Sequence, residues 1–503
     1  MKSLSRKQFL KLMGASFGAL ATSGLPFQEL LGQSTYGNTL INLLLEGGPD
    51  FRHLFVPKPS SDTKSYGYKF WNNRTTAIGK GTAVSDPASW NTAFANNYEA
   101  VSLKDSSGNT IEFGILKTNN SAEGANTWLI EQIKAGKVAI INNVYHSISR
   151  DHPHSLLVLQ SGIYETKAGQ SGQSGWGGRL IETLSDGRLL SLSNQPRAFC
   201  NTSQKSKLLS FTNSRNFGLS QASVDTNGRI STNDRGIRAL NAYYSQRASQ
   251  YSGTVYEKFF NQQIKLQSLS TQIRARLSSG SSLAETYSAL GMDSGFFQTD
   301  ANGQTGFKTS NFRTQILSLY DAFVVSDLLK PRIFSLNYNY WDSHKNQQSD
   351  IEPQLNDIFG YNRGFHAVFK NNPAIFNSSV IVISGEFGRQ LKSNGDLGTD
   401  HGRGNTVLVI GGQVVGGIYG EMFPTRESTE DASGKAPLDM FNRDIQGRTA
   451  FHKVFGKVCD WVNPGSSSTV FNETIYPLPT MKDDTGSIIS STGIESGVSL
   501  SFL

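Results

Sequence analysis

The sequence predicts an α/β protein built on a mostly parallel sheet, and three observations predict it. Continuous apolar runs at 39–46, 138–144, 332–338 and 380–384 read as strands covered on both faces. Helical stretches separate most of them, as crossover connections require. Loops carrying Asp, His or Glu follow each run, and ligands of such sheets gather beyond the carboxyl ends of the strands.

Residues 1–24 read as targeting material rather than fold. Lys2, Arg6, Lys7 and Lys11 open a modest apolar run at 9–25, and Ala19-Leu20-Ala21 fits a small-residue cleavage site. The stretch from Ser5 to Lys11 resembles the twin-arginine export signal, with Lys7 in place of the second arginine. The expectation is a periplasmic or extracellular protein, with the twin-arginine export machinery as a partner. No later segment approaches the ~20 apolar residues of a membrane span. The formal net charge of +7 is scattered, with no basic run, so nucleic acid is not an expected partner. Cys200 and Cys459 match no zinc spacing, and the sequence leaves open whether they pair.

The first strand ends in Gly47-Gly48-Pro49-Asp50, followed by Arg52 and His53. Residues 58–125 are polar and turn-rich, which predicts a surface excursion. A helix is expected over 127–135, stopped by Gly136, and then the second strand. His146, Ser149, Arg150, Asp151, His152, His154 and Ser155 follow, and a helix beginning near Leu156 would be capped by one of these polar residues. Gly175-Trp176-Gly177-Gly178-Arg179 leads into a short helix.

From 185 to 310 the composition shifts to Ser, Gln, Asn and Thr, which predicts a helical insertion on the main sheet. Tyr244, Tyr251, Tyr256, Phe259 and Phe260 fall at helical spacing there and read as packing residues. Beyond it come a helix at 314–329, the third strand running out into Asp342 and His344, a helix at 351–369, and the fourth strand. A fifth strand at 406–410, a late helix at 448–461, and a Ser/Gly-rich tail from 481, disordered or an added edge strand, complete the chain.

The fourth strand leads to Glu386, Arg389 and Gly398-Thr399-Asp400-His401-Gly402. Adjacent Asp and His offer one hard oxygen and one borderline nitrogen, the mix used for zinc or manganese. The flanking glycines let the backbone bend tightly around such a centre. The plainer reading is a glycine-rich turn with a surface histidine. Six of the eight histidines sit in the four strand-end loops, which favours a site over scattered surface.

With EGGPDFRHLFVP at 46–57, GWGGR at 175–179, WDSHKNQ at 341–347, SGEFGR at 384–389 and GTDHG at 398–402, the chain resembles the DUF1501 family over most of 38–480. These are exported bacterial proteins of the alkaline phosphatase and sulfatase superfamily. The resemblance implies an alkaline-phosphatase-like α/β/α sandwich with a two-metal centre and a nucleophile at a helix start. Asp50, Asp400 and His401 would hold one metal, and Asp342 and His344 the second. His152 is the first choice for its remaining ligand and His452 the other. Where relatives commonly carry a serine before the histidine, this chain has Asp151. Ser149, Ser155 or a metal-activated water would then attack. Glu386 is a further catalytic candidate, and Arg150 or Arg389 would clamp the anion unless each is a loop salt bridge. The function implied is an exported hydrolase of phosphate or sulfate esters using one or two divalent metals, Zn, Mn, Mg and Ca not distinguished. Its substrate would be a small-molecule or polymeric anionic ester. The alternative is a non-catalytic exported scaffold that keeps the fold.

Overall fold

The computed structural model describes residues 37–503 except 79–84, 118–125, 148, 168–171, 194–196, 213, 215–234, 278–309, 440–443 and 483–487. The expected export signal at 1–24 lies outside the described residues. In chain order the strands are β1 (Thr39–Leu45), β2 (Phe55–Pro57), β3 (Tyr98–Lys104), β4 (Thr110–Leu116), β5 (Val138–Tyr145), β6 (Arg188–Ser191), β7 (Leu208–Ser210) and β8 (Pro331–Tyr338). They continue with β9 (Ser379–Ser384), β10 (Gly388–Ser393), β11 (Thr399–Gly402), β12 (Asn405–Gly411), β13 (Gly417–Tyr419), β14 (Thr449–Ala450), β15 (Met481–Lys482) and β16 (Ile488–Ser490).

The central sheet runs β13-β5-β12-β9-β1-β8-β6-β7, with β14 also on β5. Every pairing in it is parallel except those of β12 with β9 and β5. The exception has a local cause. A parallel return needs a crossover, usually helical, and between β9 and β12 the chain makes only the β10-β11 hairpin. It therefore comes back antiparallel. Side chains alternate between faces along each strand. Ile41, Leu43 and Leu45 of β1 enter one apolar core, while Leu40 and Leu44 enter the other. The Ser310–Val324 and Gly364–Phe369 helices pack on the first, and the Trp176–Thr183 and Phe451–Val462 helices on the second. Burial on both faces explains why the strands read as unbroken apolar runs.

Three expectations need correction, and one open question is answered. The stretch 185–310 is not wholly an insertion, because β6 and β7 extend the main sheet in parallel at its β8 edge. Both are four residues or shorter, too short to show a pattern above the polar background. The described helices of the insertion are Arg235–Gln250 and Val255–Leu277. Residues 58–125 are not a bare excursion: those described contribute three helices and two strands of an antiparallel β2-β4-β3 sheet. Among the described residues the tail adds no strand to the main sheet. β15 and β16 pair with each other, and Leu500 and Phe502 plug the second core. Cys200 and Cys459 are both free and buried.

The register decides where the chemistry lies. Leu45 of β1 is level with Tyr338 of β8, and Leu44 with Ser384 of β9. Asn405, the first residue of β12, is level with Val144 near the end of β5. The loops after β1, β5, β8 and β9 thus leave one edge of the sheet. The residues before β12 lie at the same edge because that strand runs the other way.

Candidate metal centre

Asp342 lies at the centre of the site. Tyr340, at φ 73°, turns the chain out of β8, and the Trp341 N–H then donates to the Glu46 carbonyl at 3.0 Å. This brings the chain so close to Gly47 that a Cβ there would stand 2.3 Å from the Asp342 nitrogen. Gly47 also has φ +123°, so both backbone and space demand glycine.

Three imidazoles surround the Asp342 carboxylate. His401 Nε2 and His344 Nε2 each lie 3.1 Å from Oδ1, and His152 Nε2 lies 3.5 Å from Oδ2. His344 Nε2 and His401 Nε2 are 3.0 Å apart. Among the described residues, His152, Asp342 and His401 also form a group whose ligand atoms all fall within 4.8 Å of one another. His401 sits on β11, His344 in the loop after β8, and His152 opens the His152–Ser161 helix, capped by Asp151, whose carboxylate accepts from the His154 N–H at 3.0 Å.

The far side of each ring faces an oxygen. His152 Nδ1 is 2.7 Å from Glu386 Oε1, His344 Nδ1 is 3.0 Å from Asp400 Oδ1, and His401 Nδ1 is 2.8 Å from the Arg150 carbonyl. Carboxylate and carbonyl oxygens only accept, so all three Nδ1 atoms are donors. In the neutral tautomer each Nε2 then points a lone pair at the same small volume. Two lone pairs at 3.0 Å repel, so either a ring there is protonated or a cation sits between them. The same pattern of an outer oxygen on Nδ1 is what holds metal-bound histidines in register. His344 Nε2, His401 Nε2 and Asp342 Oδ1 form a nearly equilateral face. Three adjacent octahedral corners with bonds of about 2.1–2.2 Å would span such a face.

Without an ion, protons shared with the carboxylates hold the cluster together. Hydrogen bonding to Asp342, then to Glu386, lifts the His152 pKa to about 9. Burial works to raise the Asp342 pKa, but His152, His401 and Arg389 together pull it well below the usual carboxylate range. Asp400 is also lowered: burial opposes, and hydrogen bonds from Asn394 and His344 outweigh it. The centre attracts positive charge.

The other expected residues have different places. Asp50 is not at the centre. It caps the Phe51–Leu54 helix, accepting from the Arg52 N–H at 3.1 Å, and is ion-paired to buried Arg74, with Gln347 Nε2 donating at 2.9 Å. Burial alone would raise its pKa; Arg74 lowers it. Sequence reading missed Arg74 because it lies in the segment read as surface. Asp400 holds His344 from behind rather than facing the cluster. Glu386 is fully buried, accepts from the Gly47 N–H at 2.9 Å and orients His152. Arg389 is buried and spent on the Gly47, Gly48 and Thr399 carbonyls and on Asp342. Arg150 pairs with Asp444 at 2.7 Å. Ser155 Oγ is buried and donates to the Ser149 carbonyl at 2.9 Å, and Ser149 Oγ accepts from the Asp151 N–H at 3.0 Å. His452 Nε2 donates to the Gly162 carbonyl, away from the centre. An open cavity of about 530 Å³ borders the start of the His152–Ser161 helix, lined in part by Ser149, Asp151, His154 and Lys167.

The fold and site define a mixed α/β protein with a histidine-rich centre at the carboxyl edge of a mostly parallel sheet. Residues 38–442 match the family described as a protein of unknown function, DUF1501, and the chain belongs to that family. No curated protein matches it. No helix among the described residues is long and apolar enough to cross a membrane.

Proposed function

We propose that the protein is an exported metal-dependent hydrolase of phosphate or sulfate esters, on an alkaline-phosphatase-like α/β/α sandwich, with its divalent ion held by Asp342, His344, His401 and His152. The observation that carries this reading is the set of three Nδ1–oxygen pairs, which turns three Nε2 lone pairs toward one carboxylate. Such an ion supplies Lewis acidity toward an ester oxygen and lowers the pKa of water. The chain's own residues do the rest. Glu386, Asp400 and the Arg150 carbonyl fix the rings, and Arg389 fixes Asp342.

With Ser155 tied to the backbone and Asp50 occupied by Arg74, the geometry favours water as nucleophile and one ion over two. The same observations support a second reading, a scaffold that keeps the centre without turnover, because Arg389 is not free to clamp an anion.

The test is metal analysis of the purified protein followed by a screen of phosphate and sulfate monoesters. The hydrolase reading expects about one divalent ion per chain and ester turnover, both lost in His401→Ala. Bound metal with no turnover of either ester class would leave the scaffold reading. No metal at all would overturn the hydrolase reading and leave a scaffold that keeps only the fold.

A further inference from the structure

The Arg235–Gln250 and Val255–Leu277 helices pack on each other as a hairpin closed by the 251–254 turn, where Gly253 has φ +80°. The second helix has 23 residues, about 34 Å at 1.5 Å per residue. Among the described residues its second half joins the molecule: Ile273 is in the first core, with Leu266, Leu269 and Leu277 against it, and Arg276 pairs with Asp327 at 3.0 Å. The turn end stands in solvent and carries large apolar side chains. Val255 is 80 % exposed, Tyr256 64 %, Phe259 52 % and Tyr243 47 %. The rings were expected to pack, and Phe260 does sit among Tyr243, Tyr244 and Tyr251. Tyr256 touches Tyr251 and Phe259 touches Phe260 at the edge of that cluster, yet both, like Val255, remain more than half exposed.

The charge is one-sided. Residues 235–277 contain Arg235, Arg238, Arg247, Lys258, Lys265, Arg274 and Arg276 against the single acid Glu257. Glu257 is itself engaged by the Gly253 N–H at 2.6 Å. Lys258 lies between Tyr256 and Phe259 on the second helix, and Arg247 between Tyr243 and Tyr251 on the first, so basic and apolar side chains share the tip.

We propose that this hairpin tip docks on the surface of an anionic phospholipid bilayer. A few apolar side chains entering a headgroup layer, with basic residues among them at headgroup depth, suffice for peripheral binding. Tyrosines suit that depth because ring and hydroxyl prefer different sides of the boundary. The inference is independent of the metal centre.

The test is sedimentation of the full chain with phosphatidylcholine vesicles, without and with phosphatidylglycerol, at low and high salt. The N-terminal apolar run is common to all variants, so the readout is the difference between them. Binding is expected with phosphatidylglycerol and to weaken with salt. Tyr256→Ser/Phe259→Ser and, separately, Lys258→Glu/Lys265→Glu should each lower partitioning about tenfold or more, with an unchanged melting temperature because these side chains are exposed. Wild-type partitioning by either variant would overturn the proposal. So would equal binding to both vesicle types. Loss of self-association in the Tyr256→Ser/Phe259→Ser variant without vesicles would make the tip a contact between copies. Tip-dependent binding of polyglutamate but not of vesicles would make it a protein contact. Either result rejects the lipid reading.

Discussion

At the scale of single residues, the centre depends on which atom of each histidine faces inward. His344 and His401 differ from His366 in this respect, whose Nδ1 accepts a backbone N–H from Asn362 and whose pKa burial lowers to about 4. Replacing His401 by Ala should abolish most metal occupancy, measured by elemental analysis, while His366→Ala should leave it near the wild-type level. Glu386→Gln should weaken the affinity about tenfold, within the 10–100-fold range for outer partners of metal-bound histidines, as read by a competing chelator. Arg74 tests a different property. It is buried with Asp50, and removing one partner of a buried ion pair leaves an unpaired charge. Arg74→Met should therefore cost about 3–5 kcal/mol in a urea unfolding titration. A loss of metal without a loss of stability in that variant would return Asp50 to the centre. The histidines and acids at strand ends were legible as a group. The role of each was not, because Asp50 and Asp400 look alike until their neighbours, Arg74 and His344, are in place.

At the scale of elements, backbone turns aim the side chains. Gly47 is the tightest case, with positive φ and no room for a Cβ beside Asp342. Gly47→Ala should lower stability by about 1–3 kcal/mol and lower metal occupancy with it, since Asp342 must shift. Full occupancy in a destabilised variant would show that the turn serves the fold alone. Most helices and central strands were readable from period and length, but their joints were not. The expected 351–369 helix is two, Gln347–Phe359 and Gly364–Phe369, and the 314–329 helix is also broken. In the first case Gly364, at φ +43°, stands where the chain turns; the apolar spacing continues across the break and hides it.

At the scale of the whole molecule, the second core encloses groups that titrate on unfolding. His146 lies stacked on Phe451, and His452 lies beneath Phe471. Burial holds each pKa down to about 3, against roughly 6.5 in an unfolded chain. Between those values the unfolded state binds more protons, so stability is full above about 6.5 and falls as the pH drops below it. At pH of about 5 each imidazole should account for roughly 2 kcal/mol of that loss. The stability gap between wild type and His146→Leu should narrow by about this amount on going from neutral pH to about 5, in denaturant titrations. A constant gap would show that His146 is solvated. The sequence by itself determined the fold class, the order of the long strands, and the loops in which site residues gather, because burial on both sheet faces writes unbroken apolar runs and strand ends write polar ones. Only the tertiary structure decided which residues share the centre. Strand register levelled the ends of β1, β8 and β9, and the antiparallel β12 brought the residues before it to the same edge. Arg74 reached Asp50 from a segment with no local signal. Contacts between residues hundreds of positions apart depend on register and packing, and neither leaves a periodic trace in the chain.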